Sequence, residues 1–414
     1  MNEIEALNEA NRCLSCKMPR CQTGCPTGMQ IRDFIKKIKE NDLNEAANII
    51  RSCSSLSTIC SVVCPHEKQC VGHCVLNAKK APIQIGKLEK FVFDNVNYKE
   101  NITKVTNKKV AIIGCGPAGI ACALELVTKG SSVTIYERMP HFGGVLSYGI
   151  PNFRLSTHRI EALNTKLCDL GVKIVYNKSL NEDDIINLKN DYDDIFISIG
   201  LTKVRHLGIN GENLNGVYDA LDFLKDANYY LRYDEGVMPK LKGTTIVVGA
   251  GNVAMDAARM AVRAGSEHVM VVYRRTLAEA PANKIEIDEA KLEGVEFKFL
   301  TNPVEIQEEN NQLNVKCEVM VLGEPDASGR PRPVGSNQFI NIKCDQVISA
   351  IGQVPDKIFS DKYFETDHGY LVCDNFKTSV EHIYAGGDIV LGAKTVVEAQ
   401  KCGRIVAKMI LENN

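Results

Sequence analysis

The chain has almost no net charge: 49 Lys and Arg stand against 51 Asp and Glu, a formal −2 at pH 7. With no global basic field, nothing draws it to nucleic acid or to an anionic membrane surface. It has no apolar run of ~18 residues, so no transmembrane helix is expected. Met1 to Arg12 is polar and acidic, with neither the basic start nor the apolar middle of a signal peptide. The expected location is the cytoplasm, where disulfides are disfavoured. There is no low-complexity segment. What is left, 44% hydrophobic and 24% charged residues, is ordinary for a globular protein. A length of 414 residues suggests two or three domains.

Cysteine is abundant instead. Of 16, nine fall between Cys13 and Cys74. Without an export signal, a cluster of this kind reads first as metal ligands. The same N-terminal region is polar, with helix-like stretches at Ile31–Glu40 and Leu43–Arg51. A linker rich in Lys and Asn spans Asn97–Lys109. From Val110 on, the texture changes to short apolar strands, glycine turns and amphipathic helices, the pattern of an α/β fold.

Two α/β stretches look alike, Lys109–Arg138 and Thr244–Arg275. Each reads as strand, glycine turn, helix and second strand. In the first, Gly114, Gly116 and Gly119 form G-x-G-x-x-G directly after the strand Val110–Ile113. Such glycines allow a tight turn, close approach of a pyrophosphate, and close packing of helix on strand. The helix start offers free N–H groups to the phosphate. Glu137 ends the second strand, where a carboxylate can accept from ribose hydroxyls. A lone glycine motif is weak; strand, glycines, helix, strand and acid in order are strong.

In the second stretch Gly249, Gly251 and Ala254 take the same places, with Asn252 opening the helix. Its second strand ends in Tyr273, Arg274 and Arg275. Arginines pair with a 2′-phosphate that an acid would repel. This site therefore favours NADPH over NADH, against the plainer reading of a solvated surface turn. Near the C-terminus, Asp388 follows Gly386 and Gly387, and a helix begins near Thr395 and Val396. An aspartate there can hold a ribityl chain, and a helix N-terminus can stabilise the negative charge of a reduced flavin. A simple helix cap is the blander alternative.

These segments, with Gly143 and Gly144, Phe196–Gly200, Ser349–Gly352 and Tyr384–Asp388, resemble the two-dinucleotide-binding flavoprotein superfamily. The resemblance implies an FAD domain split in the chain by an inserted NAD(P)H domain, with Gly144, Gly387 and Asp388 among the flavin contacts. Members such as thioredoxin reductase carry a redox-active C-x-x-C in the pyridine-nucleotide domain. None occurs here after Cys16. Cys115 and Cys122 read as packing residues. Electrons must leave the flavin by another route.

The N-terminal cysteines supply one. They run Cys13-x2-Cys16-x4-Cys21-x3-Cys25-Pro26, then Cys60-x3-Cys64-Pro65-x5-Cys70-x3-Cys74. Close cysteines ending in Cys-Pro are ferredoxin grammar, and nine are enough for two four-iron clusters. Cys13 and Cys16 also have zinc-finger spacing, but no second Cys or His pair repeats it. The pattern resembles the N-terminal domain of the glutamate synthase small subunit and of dihydropyrimidine dehydrogenase, over essentially the whole chain. By that resemblance one 4Fe–4S cluster takes Cys13, Cys16, Cys21 and Cys74. The other takes Cys25, Cys64, Cys70 and a non-cysteine ligand at the position of Glu89, whose alternative is a surface helix acid. Cys53 and Cys60 lie outside the pattern and read as small buried residues.

The expected fold class is α/β, with an N-terminal helical iron–sulfur domain plus two Rossmann-like dinucleotide-binding domains. The expected divisions are a helical cluster domain at 1–105, FAD domain at 106–240, NAD(P)H domain at 241–345 and the second FAD part at 346–414. The expected function is an electron-input oxidoreductase, passing electrons from NADPH or NADH through FAD and two 4Fe–4S clusters. The chain ends soon after the flavin helix, which leaves no room for a substrate domain, so a catalytic partner subunit is implied. The stretch Leu322–Ser336 and the Tyr-Arg-Arg ending favour a glutamate synthase large subunit. The length and layout equally suit an FMN-barrel reductase of dihydropyrimidine dehydrogenase type. A nucleotide-binding scaffold without electron transfer is the reading from another class.

Overall fold

The computed structural model describes every residue except Ser328, Asp361 and Asn414. Ser328 falls within the Leu322–Ser336 stretch, so that part of the stretch lies outside the described residues. The chain forms two compact units. One comprises 1–146, 153–202 and 354–414; the other comprises 147–152 and 203–353.

The first unit begins with short helices, among them Glu3–Asn11, Ile31–Lys39, Leu43–Cys53, Ser57–Val63 and Ile85–Asn95. Ile31, Phe34, Ile35 and Ile38 recur at helical spacing and are all buried. They meet Ala46, Ala47, Ile50, Leu88 and Val92 in one apolar core. Cys13, Cys21, Cys25 and Cys74 pack against its rim. Apolar contact holds the helices, while polar loops carry the thiols at the edge. Among the described residues no single helix is long and apolar enough to cross a membrane.

A five-stranded parallel sheet follows in the same unit. Its order is Ile383–Ala385, Asp194–Ile197, Lys109–Ile113, Ser132–Tyr136 and Lys173–Val175. Strands buried on both faces read as continuous Val/Ile runs, which is how Val110–Ile113 reads. The helices Pro117–Val127 and Val396–Glu412 pack against one another, so the start and the end of the chain's α/β part meet in one unit.

The second unit repeats the plan: Val217–Asp219, Gln346–Ser349, Thr244–Val248, His268–Val272 and Glu296–Lys298 form a parallel sheet. A three-stranded antiparallel sheet, Thr301–Glu309, Gln312–Pro325 and Pro331–Cys344, extends it. The expected division at 240/241 is corrected. Val217 to Asp219 pair with Val347 to Ser349, so residues from 203 belong to the second unit. Likewise Gln346–Ser349 pairs with the central strand Thr244–Val248, which moves the expected 345/346 division to 353/354. Both boundary strands are short, and only their pairing reveals the side to which they belong.

Candidate functional site

In the first unit Gly114 has φ +101, and a Cβ there would lie 2.7 Å from Ser198 O. Only glycine fits that turn. Gly119 packs against the carbonyl of Gly114. Gly116, by contrast, faces open space, as a phosphate cradle requires. It caps the helix Pro117–Val127, whose first N–H groups point to that space. Gly144 (φ +55) crosses close to the Gly116 backbone. Glu137 is buried, at 5% exposure. Its Oε2 accepts from Cys115 N at 2.7 Å and its Oε1 from Met139 N at 2.8 Å. Burial raises its pKa, while those two backbone donors oppose the rise. The carboxylate is therefore held rigidly at the strand end, beside the glycine turn.

Gly387 (φ +73) leads into a short helix, Asp388–Leu391. Burial pushes the Asp388 carboxyl up to about 6; its Oδ1 accepts from Lys394 N at 3.2 Å. Thr395 is the N-cap of Val396–Glu412 and forms a capping box with Glu398. Thr395 therefore is a cap, and Val396 the first helical residue, as the sequence suggested. Both stand at the N-terminal end of a 17-residue helix, where the macrodipole favours negative charge.

In the second unit Gly249 has φ +127 and would clash with Ala350 O if it carried a Cβ. A Cβ on Gly251 would meet only Pro281 Cγ, at 4.0 Å, and Gly251 caps the helix Asn252–Arg263. Asn252 Oδ1 accepts from Asn283 N at 2.9 Å, tying the helix start to the following loop. Ala254 is fully buried. The arginine pair separates. Arg274 is exposed and makes no hydrogen bond or ion pair with the described residues. Arg275 is 3% exposed. It donates from Nε to Pro331 O at 2.8 Å and from an Nη to Asp326 at 2.5 Å. Of the two candidate 2′-phosphate partners, Arg275 is in this geometry already paired with a carboxylate. Nothing in the local sequence signals Asp326, which lies 51 residues away.

The thiols form two neighbourhoods. Cys13, Cys16, Cys21 and Cys74 line one pocket. Burial, then the proximity of Cys74, Cys13 and Cys16, pushes the Cys21 thiol up to about 11. The second set centres on Cys64 and Cys70. A hydrogen bond to Cys60, then burial, Glu89 and Cys25 raise Cys64. Burial, Glu89, Cys25 and Cys64 raise Cys70. Glu89 itself is 7% exposed, its Oε1 has no hydrogen-bond partner, and burial pushes its carboxyl up to about 8. It is not a surface acid. Groups that resist ionisation through burial and mutual repulsion fit a cationic centre, which reverses that preference. Among the described residues no three Cys, His, Asp or Glu side chains close around a single ion. Cys60 is buried, as expected; Cys53 is only half-buried, which corrects that expectation.

The cysteine-bearing helices and the flavin-type sheet are joined within the first unit. Arg51 pairs with Glu100 at 2.9 Å and with Glu125 of Pro117–Val127 at 2.6 Å. Arg159 donates to Thr58 O at 3.0 Å. Gln400 of Val396–Glu412 is fully buried against Ser54, Leu56 and Cys60. Apart from Cys60, none of these residues stood out in the sequence, because each contact spans more than 70 positions except that to Glu100.

Two glycine-turn units and a thiol-rich helical segment in one chain define a class, the NAD(P)H- and FAD-dependent oxidoreductases with iron–sulfur centres. Residues 108–403 match the family of pyridine nucleotide-disulphide oxidoreductases, and 1–101 match dihydropyrimidine dehydrogenase domain II, 4Fe-4S cluster. The glutamate synthase [NADPH] small chain of Escherichia coli is 35% identical, over 99% of this chain and 92% of its own. The NADP(+)-dependent formate dehydrogenase subunit beta of Moorella thermoacetica is 37% identical over 94% of this chain, which spans 59% of that protein. The chain belongs to the family of glutamate synthase small subunits and dihydropyrimidine dehydrogenase N-terminal parts, NAD(P)H:FAD, 4Fe–4S oxidoreductases. Among solved structures, FprA of Mycobacterium tuberculosis in complex with NADPH superposes with a TM-score of 0.64, over 74% of this chain and 85% of that one. At 19% identity that likeness shows the fold alone.

Proposed function

We propose that the chain is the electron-input subunit of a glutamate synthase-type enzyme, passing electrons from NADPH through FAD and two 4Fe–4S clusters to a large partner subunit. The observation that carries this is the pair of separate donor sets, Cys13/Cys16/Cys21/Cys74 and Cys25/Cys64/Cys70/Glu89, in the unit that also holds the Gly116 cradle. When bound, the flavin and clusters supply hydride acceptance and single-electron transfer. The residues do the rest. Gly114, Gly116, Gly119 and Gly144 admit the FAD pyrophosphate, and Glu137 accepts from its ribose. Gly387 and Asp388 hold the ribityl chain. Thr395 and Val396 present a helix N-terminus that favours the anionic reduced ring. Gly249, Gly251, Asn252 and Ala254 form the nucleotide turn, and Arg274 meets the 2′-phosphate. No side chain has to move a proton at a substrate carbon, so no general base is assigned.

The near full-length likeness to glutamate synthase small chains supports that partner. A small subunit of dihydropyrimidine dehydrogenase, delivering electrons to an FMN-barrel partner, is the second reading, supported by the family match over 1–101. The reading places the chain in the cytoplasm. Anaerobic titration of the purified protein with NADPH tests it. The flavin absorbance should bleach and iron–sulfur EPR signals should then appear. A colourless protein that leaves NADPH unoxidised would sink the reading. Co-purification with a large amidotransferase chain, against an FMN-containing chain, decides between the partners.

A further inference from the structure

The two segments that carry the first thiol set differ in charge from the rest of the chain. Residues 10–32 and 68–88 hold eight Lys and Arg and no Asp or Glu, although the whole chain stands at −2. The fold sets these segments side by side. Arg12 donates to the Ala81 carbonyl at 2.6 Å. Glu9 accepts from Gln84 N at 2.8 Å. Leu14, Arg20 and Val75 line the same pocket as the four thiols.

That pocket lies near solvent. All four thiols of the first set are half-buried, whereas Cys70 and Glu89 of the second are buried. Three apolar side chains of these segments face water: Met18 is 85%, Leu14 61% and Val75 39% exposed. Lys17, Arg20, Lys79 and Lys80 are exposed too, and their side chains make no ion pair or hydrogen bond with the described residues. An apolar patch with cations at its edge has the make-up of a protein interface, where Met and Arg gather and charge is kept to the rim. An anionic membrane would also take such a face, but lipid accepts no electron, and this face borders the thiols.

We propose that this face, centred on Leu14 and Met18 and ringed by Lys17, Arg20, Lys79 and Lys80, docks the acidic face of the electron-accepting protein. This rests on the cluster reading above. The acceptor gains one electron for each that this chain loses, and NADPH supplies them. Unlike charges steer the encounter, and the apolar centre holds the pair once it has formed.

The test uses the full-length holoprotein, with an acidic plant-type ferredoxin as the probe, and the variants K17E/K79E/K80E and M18S. Binding is read by calorimetric titration at several salt concentrations, apart from any turnover. Wild type should bind the ferredoxin with an affinity that falls as salt rises. The triple reversal should weaken binding at low salt on the order of 10- to 100-fold, because it inverts the steering field. M18S should weaken it about tenfold at every salt concentration, as the loss of one buried apolar side chain does. Flavin bleaching by NADPH, iron content and cluster EPR signals should keep their wild-type values in both variants. No binding to wild type, or binding that the reversal leaves unchanged, overturns the proposal. So does tighter binding to phosphatidylserine/phosphatidylcholine vesicles or to duplex DNA than to the ferredoxin. A wild-type protein that shows neither flavin bleaching nor iron–sulfur signals overturns the cluster reading beneath it instead.

Discussion

Removing the two arginines one at a time separates their jobs. Arg274 is exposed and has no partner among the described residues, so its full charge is available to the 2′-phosphate of NADPH. A hydrogen bond to a charged group contributes about 1.5–3 kcal/mol. At about 1.4 kcal/mol per tenfold, R274A should raise the KM for NADPH about 10- to 100-fold. The KM for NADH, which lacks that phosphate, should hardly move. Arg275 is different. Its side chain is 4% exposed and its partner Asp326 is 29% exposed. R275A would strip a donor from Pro331 O and leave the Asp326 carboxylate partly buried without its cation. The cost is about 1–3 kcal/mol of stability, or several degrees in the unfolding temperature of the second unit. Steady-state kinetics with both nucleotides, beside thermal unfolding, checks each half. If R275A loses NADPH discrimination while R274A keeps it, the reasoning is refuted: Arg275 must then leave Asp326 for the nucleotide.

Further outcomes follow from single positions. E89A should leave one EPR-active cluster and lower the iron content by about half, given four irons per cluster; an unchanged iron content would return Glu89 to a merely buried acid. G116V should fold but lose FAD, because its Cβ enters open space, whereas G114V should fail to fold against Ser198 O; retained flavin in G116V would contradict the cradle. R51M leaves Glu100 to Lys166 and Glu125 to Arg404 and Ser55, so the loss should be about 2–3 kcal/mol, below the full penalty of a broken buried pair, and equal stability would show the network to be idle. In flavin-free protein the Asp388 carboxyl, raised to about 6 from 3.8, binds its proton more tightly folded than unfolded. Stability is then full below about pH 4 and is lost as pH rises toward 6, so D388N should unfold at higher temperature than wild type at pH 7.5, by about 1–3 kcal/mol equivalent for a half-buried group, and equally at pH 4.

How much of this could be read from the sequence depends on the range of each interaction. The glycine turns are legible because a strand, a tight turn and a helix N-terminus are built from adjacent residues. Gly114 and Gly249 need positive φ for local reasons. The capping box of Thr395 and Glu398 likewise joins residues three positions apart. Division of the α/β part was misplaced because Val217–Asp219 is three residues of ordinary strand, and its sheet is chosen by Gln346–Ser349 more than a hundred positions later. The pairing of Arg275 is hidden for the same reason: nothing near it in the chain announces Asp326.

Cys60 shows the limit most clearly. By spacing it is a spare cysteine, small and buried, and by burial it is just that. Only the fold brings Gln400 to its sulfur, 340 positions along the chain. A leucine at 400 would satisfy the apolar periodicity of Val396–Glu412 better than glutamine does. It would also leave Leu56 N–H unpaired in the interior, at a cost of about 1–3 kcal/mol. A fully buried amide in an amphipathic helix therefore has a structural reason at Leu56. Its Nε2 donates to Ser54 Oγ at 2.9 Å and to the Cys60 thiol at 3.3 Å, so the whole amide is satisfied only by residues more than 300 positions away.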